Sequence, residues 1–437
     1  MGPKDKHAPT GDFFQQPLVE LINHKHPLVK LAELIDWSVF ETRWTKFFSS
    51  RTGRPATSPR LIAGLLYLQH TFACSDEDLI WTWIENPYWQ HFCGEIYFQH
   101  QPPIDPSSMT RWRQRIGEEG IERLLMETIE AAHRGNVVKA KSFEKVIIDT
   151  TVMEKAVAYP TDSRLLERGR QYLVKLAATL GIKLRQNYNR QAPRLAAQVG
   201  RYAHARQYRR MKGALKSLRT LVGRVWRDID RKLDRQDEIQ APKATSILER
   251  VKRLLEPKPK DKNKLYSLHA PEVECISKGK IRQPYEFGVK VTVATTHKEG
   301  LVVGMRSLPG NPYDGHTLSE AIEQITILTN QKPKAVFVDK GYRGVGVEGV
   351  TIWRSGQKRG VTQAIRKAIR RRSAIESTIG HMKNEGKLRR NWLKGSLGDA
   401  LNAVLCGAGH NLRMILRAIR RFCAWMLCFP TAETNRW

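Results

Sequence analysis

The chain has 437 residues, 41% of them hydrophobic, so it is a globular protein with room for two or three domains. Its 74 Lys and Arg against 43 Asp and Glu give a formal charge of +31 and a pI near 10.1, far outside the range of ordinary soluble enzymes. That excess predicts a polyanionic partner, nucleic acid first. No run approaches the roughly 20 apolar residues of a spanning helix, and the cations are not confined to one amphipathic face, so no membrane partner is expected.

Residues 1–27 are polar and weakly periodic, and are expected to be a loosely ordered lead-in. They begin Met1-Gly2-Pro3-Lys4-Asp5-Lys6, without a signal-peptide hydrophobic region and with Lys6 where a myristoylation signal requires Ser or Thr, so a cytoplasmic protein is expected. Residues 28–135 read as a helical domain. Ser58-Pro59 supplies an N-cap and N1 pair before Leu61, Leu65, Leu66 and Leu68, and Ser75-Asp76-Glu77-Asp78 opens the next helix in a stretch rich in Trp81, Trp83 and Trp89. After the breaker Gln101–Pro106, Ser107 or Ser108 caps a helix carrying Arg111, Arg113 and Arg115, with Trp112 and Ile116 spaced to pack inward. Short capped helices in a basic protein suggest a helix-turn-helix-like DNA-binding module with those arginines on the reading helix; an ordinary bundle with solvated arginines is the bland alternative.

Residues 140–420 read as an α/β domain. The β-branched run Val146–Val152 is a buried strand, and Tyr285–Thr295 and Leu301–Leu308 alternate and join through His297-Lys298-Glu299-Gly300 as a hairpin. Between them, 163–264 is a basic helical insertion. Leu215, Leu218, Val222, Val225 and Ile229 form its apolar stripe, while Arg206, Arg209, Arg210 and many further cations face few acids, which points to contact with a phosphate backbone. Pro257-Lys258-Pro259-Lys260-Asp261-Lys262 reads as an exposed linker. A turn-rich loop through Asn311–His316 precedes a helix over Thr317–Thr329. A strand then ends at Asp339, followed by the loop Lys340–Gly344, a short strand around Val350–Trp353 and a helix over Arg370–Lys383. Strand, insert, hairpin, helix, strand, strand, helix is the order of a ribonuclease-H-like mixed-sheet core. Residues 421–437 form a C-terminal tail, expected to bury its apolar part against its own chain, with docking on another subunit as the alternative.

Asp149 in the first strand and Asp339 at the end of the fourth are costly unless paired or bound to a cation. On the last helix Glu376 follows Arg372 by four residues and precedes Lys383 by seven, so the three are expected on one face. Three carboxylates from two strands and a helix repel one another, and Mg²⁺, or Mn²⁺, removes that repulsion with oxygen ligands. Two such ions serve phosphodiester cleavage or strand transfer, with Asp149 bridging and with Asp339 and Glu376 each mainly on one metal. Arg372 and Lys383 are then expected on phosphate, as are Arg343 and His316, although His316 can also serve as a cap-region residue. There is no Walker loop, dinucleotide glycine fingerprint or nucleophile elbow. Six cysteines are no disulfide framework, and Cys406-x3-His410 with Cys423-x4-Cys428 fits no usual zinc spacing, so buried thiols are expected.

Arg51-Thr52-Gly53-Arg54-Pro55, Asp105–Arg115, Asp149-Thr150-Thr151-Val152, Tyr159-Pro160-Thr161-Asp162, Asn311-Pro312-Tyr313-Asp314-Gly315-His316, Asp339-Lys340-Gly341-Tyr342-Arg343-Gly344 and Arg372-x3-Glu376-x6-Lys383 occur in this order. Together they resemble bacterial insertion-sequence transposases of the DDE type, within them the group called insertion-sequence family five, over nearly the whole chain. The resemblance implies a nucleoid-associated enzyme that uses Mg²⁺ to cleave double-stranded DNA at transposon ends and join it to target DNA. It also implies a homodimer on paired ends and Asp149, Asp339 and Glu376 as the catalytic triad. One position departs from the wider group: Ile369 stands where a Tyr often precedes the Arg by three residues. Two other readings compete, a nuclease or resolvase that cleaves without joining and a non-catalytic DNA-binding derivative.

Overall fold

The structure, a computed structural model, describes residues 16–47, 57–233, 241–256, 264–277, 279 and 284–428, with side chains at 241 and 423–428 excepted. The first residues of the lead-in, the segment Arg51–Pro55, the linker Pro257–Lys262, the thiols of Cys423 and Cys428, and the tail beyond 428 lie outside the described residues. Two compact units divide the chain: Met1–Glu154 with Val289–Trp437, and Lys155–Gly288.

The first unit begins with seven helices, α1 (Leu18–Leu21), α2 (Pro27–Leu34), α3 (Ser38–Arg43), α4 (Pro59–Phe72), α5 (Asp76–Glu85), α6 (Pro87–Phe92) and α7 (Ser108–Arg134). Proline at the first position, whose missing N–H costs nothing there, starts α2, α4 and α6. Ser75 accepts from the Asp78 amide to open α5, whereas Trp89, expected beside Trp83, belongs to α6, which Asn86 caps through the Tyr88 and Trp89 amides. Gly117, at φ +63°, interrupts α7 after its first turns. Trp112 and Ile116 pack inward as expected, and Trp44, Tyr67 and Trp83 are fully buried among leucines of α4.

The sheet of this unit contains β1 (Lys145–Lys155), β3 (Tyr285–Thr296), β4 (Val302–Leu308), β5 (Ala335–Val338), β6 (Thr351–Arg354) and the two-residue β7 (Arg390–Asn391), with β2 (Glu274–Ser277) preceding β3 in the chain. Its order is β3-β1-β5-β6, with β4 on β3 and β7 on β1. β1 runs parallel to β5, Val146 opposite Val336, β5 runs parallel to β6, and β3 and β4 form the expected antiparallel hairpin. The mixed sheet is consistent with the expected ribonuclease-H-like core. Beside it run α12 (Leu318–Thr329), α13 (Gln363–Arg371), α14 (Ala374–Asn384) and α15 (Gly395–Cys428). α15 packs on α7, α4 and β4, burying Leu401, Val404, Leu405, Ala408, Leu412 and Ile415, so helices and sheet share one hydrophobic core. Asn411 fixes that packing: its amide receives a hydrogen bond from Val302 N–H and donates to Val302 O and Thr128 Oγ1. Cys406 and His410 lie on the buried face of the same helix, where burial pushes the thiol up to about 12 and the imidazole down to about 3, so both are neutral.

The second unit has its own core, built by α8 (Asp162–Thr179), α9 (Gln191–His204), α10 (Tyr208–Lys232) and α11 (Ala241–Leu255). The stripe read from the sequence is its inner face: Leu218, Val222, Val225 and Ile229 are buried against Leu166, Leu173, Leu248 and Val251. Here too lies β2, paired antiparallel with the first residues of β3.

Candidate active site

Adjacent strands carry two of the three carboxylates. Asp149 sits in the middle of β1, where Oδ1 receives a hydrogen bond from the Thr150 amide at 2.8 Å. Asp339 follows β5 and caps a single 3₁₀ turn, Lys340–Tyr342, its Oδ1 receiving the Gly341 amide at 2.8 Å. Burial raises the Asp149 carboxyl above its usual range against the lowering by the Thr150 amide and Arg372, and the nearby Asp339 charge raises it further.

The third comes from the last helical segment, which differs from its expected form. The helix expected over Arg370–Lys383 is two helices, because α13 ends at Arg371 and α14 starts at Ala374. Across the junction Ile375 N–H bonds to Arg372 O and Glu376 N–H to Ser373 O, three residues back instead of four, which tightens the chain into a turn. Arg371 anchors this turn by donating from Nε to His297 O at 2.9 Å, and His297 Nε2 lies 2.9 Å from Ala368 O. Arg372 therefore points at the sheet. Its Nη1 meets Asp149 Oδ2 at 3.0 Å and its Nη2 meets Glu376 Oε1 at 3.2 Å, so one guanidinium joins two of the three acids. Asp149 and Arg372 are about equally buried, but the Glu376 side chain is 66% exposed.

A fourth carboxylate, not singled out by itself in the sequence, belongs to the same cluster. Asp314 Oδ1 accepts from Thr150 Oγ1 at 3.2 Å and from Lys290 Nζ at 3.1 Å. Tyr342 is fully buried, and its hydroxyl finds no partner. Burial first, then the charges of Asp314, Asp149 and Asp339, hold that phenol well above its usual range. Among the described residues no three His, Cys, Asp or Glu are arranged to hold a metal ion, and Arg372 stands between Asp149 and Glu376.

The residues expected on DNA occupy different surroundings. His316 is exposed on the 3₁₀ turn before α12, edge-on to Tyr313; Arg343 is exposed directly after Tyr342; and Lys383 is half-buried on α14. Arg111 and Arg115 are exposed on the first turns of α7, Arg115 lying over the Trp112 ring. Arg113 corrects the expectation. It is 2% exposed and faces inward, donating from Nη1 to Asp76 Oδ2 at 3.0 Å and from Nη2 to Gln69 Oε1 at 2.7 Å, so both terminal nitrogens are engaged inside the protein. In the second unit Arg206, Arg209 and Arg210 are all exposed, at and after the turn between α9 and α10.

No helix among the described residues is long and apolar enough to cross a membrane. Residues 16–115 match the family described as "Transposase domain (DUF772)", and residues 239–406 match "Transposase DDE domain". The second match contains Asp314, Asp339, Arg372 and Glu376, while Asp149 lies outside both and joins the site through its contact with Arg372. The chain is also 47% identical over 208 residues to an "Uncharacterized protein ORF8 in nfe locus" of Rhizobium meliloti, covering 48% of this chain and 100% of that protein. No solved structure matches. Helices in the N-terminal region and a mixed sheet following them agree with these matches: the chain belongs to the DDE transposases, with a DUF772-type transposase domain in its helical N-terminal region.

Proposed function

We propose that this enzyme is the transposase of an insertion sequence of the group called family five. It binds the terminal inverted repeats as a homodimer, cleaves DNA at the ends and transfers the 3′-hydroxyl strands into target DNA. The observation that carries the reading is Arg372 joined to both Asp149 and Glu376, beside the charge of Asp339.

In chemical kind the donors suit a hard divalent cation, and Arg372 must yield its place between Asp149 and Glu376 for three of them to share one. Asp149 and Asp339 present oxygens at neighbouring strands, and the unpartnered Tyr342 hydroxyl is buried near both charges. Asp149, Asp339 and Glu376 would hold Mg²⁺, or Mn²⁺. When bound, such ions supply charge neutralisation and activation of a water or 3′-hydroxyl for in-line displacement. The remaining work belongs to side chains. Asp149 is oriented by the Thr150 amide and Asp339 by the Gly341 amide, so neither must reorganise on binding. Arg372 presents a donor fork that suits carboxylate and phosphate alike; as DNA approaches it exchanges Glu376 for a phosphate oxygen and leaves that exposed carboxylate free to act. Lys383, Arg343 and His316 line the approach of the strand, Arg111 and Arg115 serve the N-terminal contact, and Arg206, Arg209 and Arg210 take phosphates along the insertion.

The test is joining of a duplex carrying the inverted repeats that flank the gene to a plasmid, in Mg²⁺ or EDTA, with wild type and Glu376→Gln. Joined product that requires both metal and Glu376 is expected. Metal-dependent nicking without joining would transfer the assignment to a nuclease or resolvase, and joining unaffected by Glu376→Gln would remove α14 from the chemistry.

A further inference from the structure

Asp314 has no role in the chemistry described above, yet the loop around it is built to hold it still. Lys290 on β3 donates to Pro312 O at 2.7 Å as well as to Asp314, and Thr317 Oγ1 donates to Asp314 O at 2.8 Å. A Cβ on Gly315 would lie 2.7 Å from both the Tyr313 ring and Val345 Cγ2, so any larger residue would push the loop out of place. The Lys290 and Asp314 side chains are 14% and 26% exposed, an ion pair partly withdrawn from water and bonded on more than one side.

What this loop holds is Thr150. Its hydroxyl donates to Asp314 Oδ1, and its amide donates to Asp149 Oδ1. One residue thus takes an anchor through its side chain and delivers a fixed donor through its backbone. On the other side, a Cβ on Gly341 would meet Asp339 Oδ1 at 2.9 Å and Asp314 Oδ2 at 3.3 Å, so Asp314 and Asp339 press on the same glycine.

We propose that Lys290, Asp314 and Thr150 form a positioning relay that fixes the Asp149 carboxylate for its cation. This rests on the reading of Asp149 as a metal ligand. Asp314 is a positioning residue: it acts on Asp149 through Thr150 and on the cation only indirectly. Partners that orient a ligating carboxylate are typically worth roughly 10–100-fold in metal affinity.

The experiment measures Mn²⁺ binding to the full chain without DNA, by loss of the free-ion electron paramagnetic resonance signal. Wild type is compared with Thr150→Val, Thr150→Ser, Asp314→Asn and Asp149→Asn, with thermal melting of each in EDTA. Thr150→Val, which removes only the hydroxyl at nearly constant shape, and Asp314→Asn, which removes the charge opposite Lys290, are each expected to weaken Mn²⁺ binding by about tenfold or more. Thr150→Ser is expected to restore binding to within about threefold of wild type, a rescue that a purely structural role would not require. Wild-type Mn²⁺ binding by Thr150→Val, or equal losses in Thr150→Ser and Thr150→Val, overturns the relay. Should Asp314→Asn fail to fold, the Thr150 pair decides alone. If Asp149→Asn binds Mn²⁺ as wild type does, it is the metal-ligand reading that has failed.

Discussion

The two units differ in how many of their arginines work inside and how many face outward. In the first, arginine is an internal connector: Arg113 is spent on Asp76 and Gln69, and Arg372 on Asp149 and Glu376. In the second, Arg168 to Arg227 contains sixteen Lys and Arg and no Asp or Glu, and most of these cations are exposed. Pairing in the first unit fixes carboxylates at set distances. Apart from Arg170, which Glu167 holds inside, the exposed cations of that stretch leave a positive field that an external polyanion can neutralise. On the proposed function, the reacting carboxylates stand in the first unit and a dense run of exposed cations in the second.

Four experiments test that difference. The largest effect is expected from Asp149→Asn, Asp339→Asn or Glu376→Gln, each lowering strand transfer by about a thousandfold or more, ~4 kcal/mol of barrier. End binding in a gel shift should change little, and a parallel collapse of binding would show that the two tasks are not separate. Next, Arg113→Ala should destabilise the protein by about 3–5 kcal/mol in urea unfolding, because it leaves Asp76 and Gln69 without their buried partner; a surface arginine would cost within ~0.5 kcal/mol. Third, replacing Arg206, Arg209 and Arg210 together by Ala should leave stability and Mn²⁺ binding intact. The slope of log binding constant against log salt should fall by roughly 2–3, about one for each phosphate that an arginine no longer neutralises. An unchanged slope would take the turn between α9 and α10 off the DNA.

The smallest effect separates the units by pH. Burial pushes Asp76 up, but Arg113 and Gln69 more than offset it and hold the carboxyl below its usual value. A depressed folded value means that the pair's contribution is complete above the unfolded carboxylate pKa of about 3.9 and is lost as pH falls through the folded one. Acid unfolding of wild type should therefore be steeper below pH ~4 than that of Arg113→Met, measured by circular dichroism.

Much of this was legible from residue order because it depends on local pattern. The apolar runs of β1 and β5, the alternation of β3 and β4 and the stripe Leu218–Ile229 each announce a buried face, and each is buried. The pairing of Arg372 with Glu376 follows from i,i+4 spacing and survived although the helix did not run through it. That break was hidden because Arg372 and Ser373 are neither Gly nor Pro; the cause is Arg371 bonding to His297, 74 positions away. Arg113 was misread for the same reason, since periodicity alone cannot show that Asp76 waits opposite it. Asp314 was seen only as part of a motif, and its place beside Thr150 arises from a contact 164 positions long. β2 and β7, with four and two residues, are too short for any alternation to register.

The helix α15 carries a consequence for how this protein is made. It is synthesised after every element it packs against, yet Gly407 sits against Val302, Met305 and Leu125, and a Cβ on Gly409 would lie 2.4 Å from His70 O. During translation, at about 5–20 residues per second, the N-terminal helices and the sheet must wait with apolar surface uncovered until the chain has passed residue 416. A nascent chain stopped before that point has the Asp149 strand but not the wedge that closes the core around it. A chain truncated before residue 416 is therefore expected to leave that apolar core open and to be cleaved faster than the full chain in limited proteolysis.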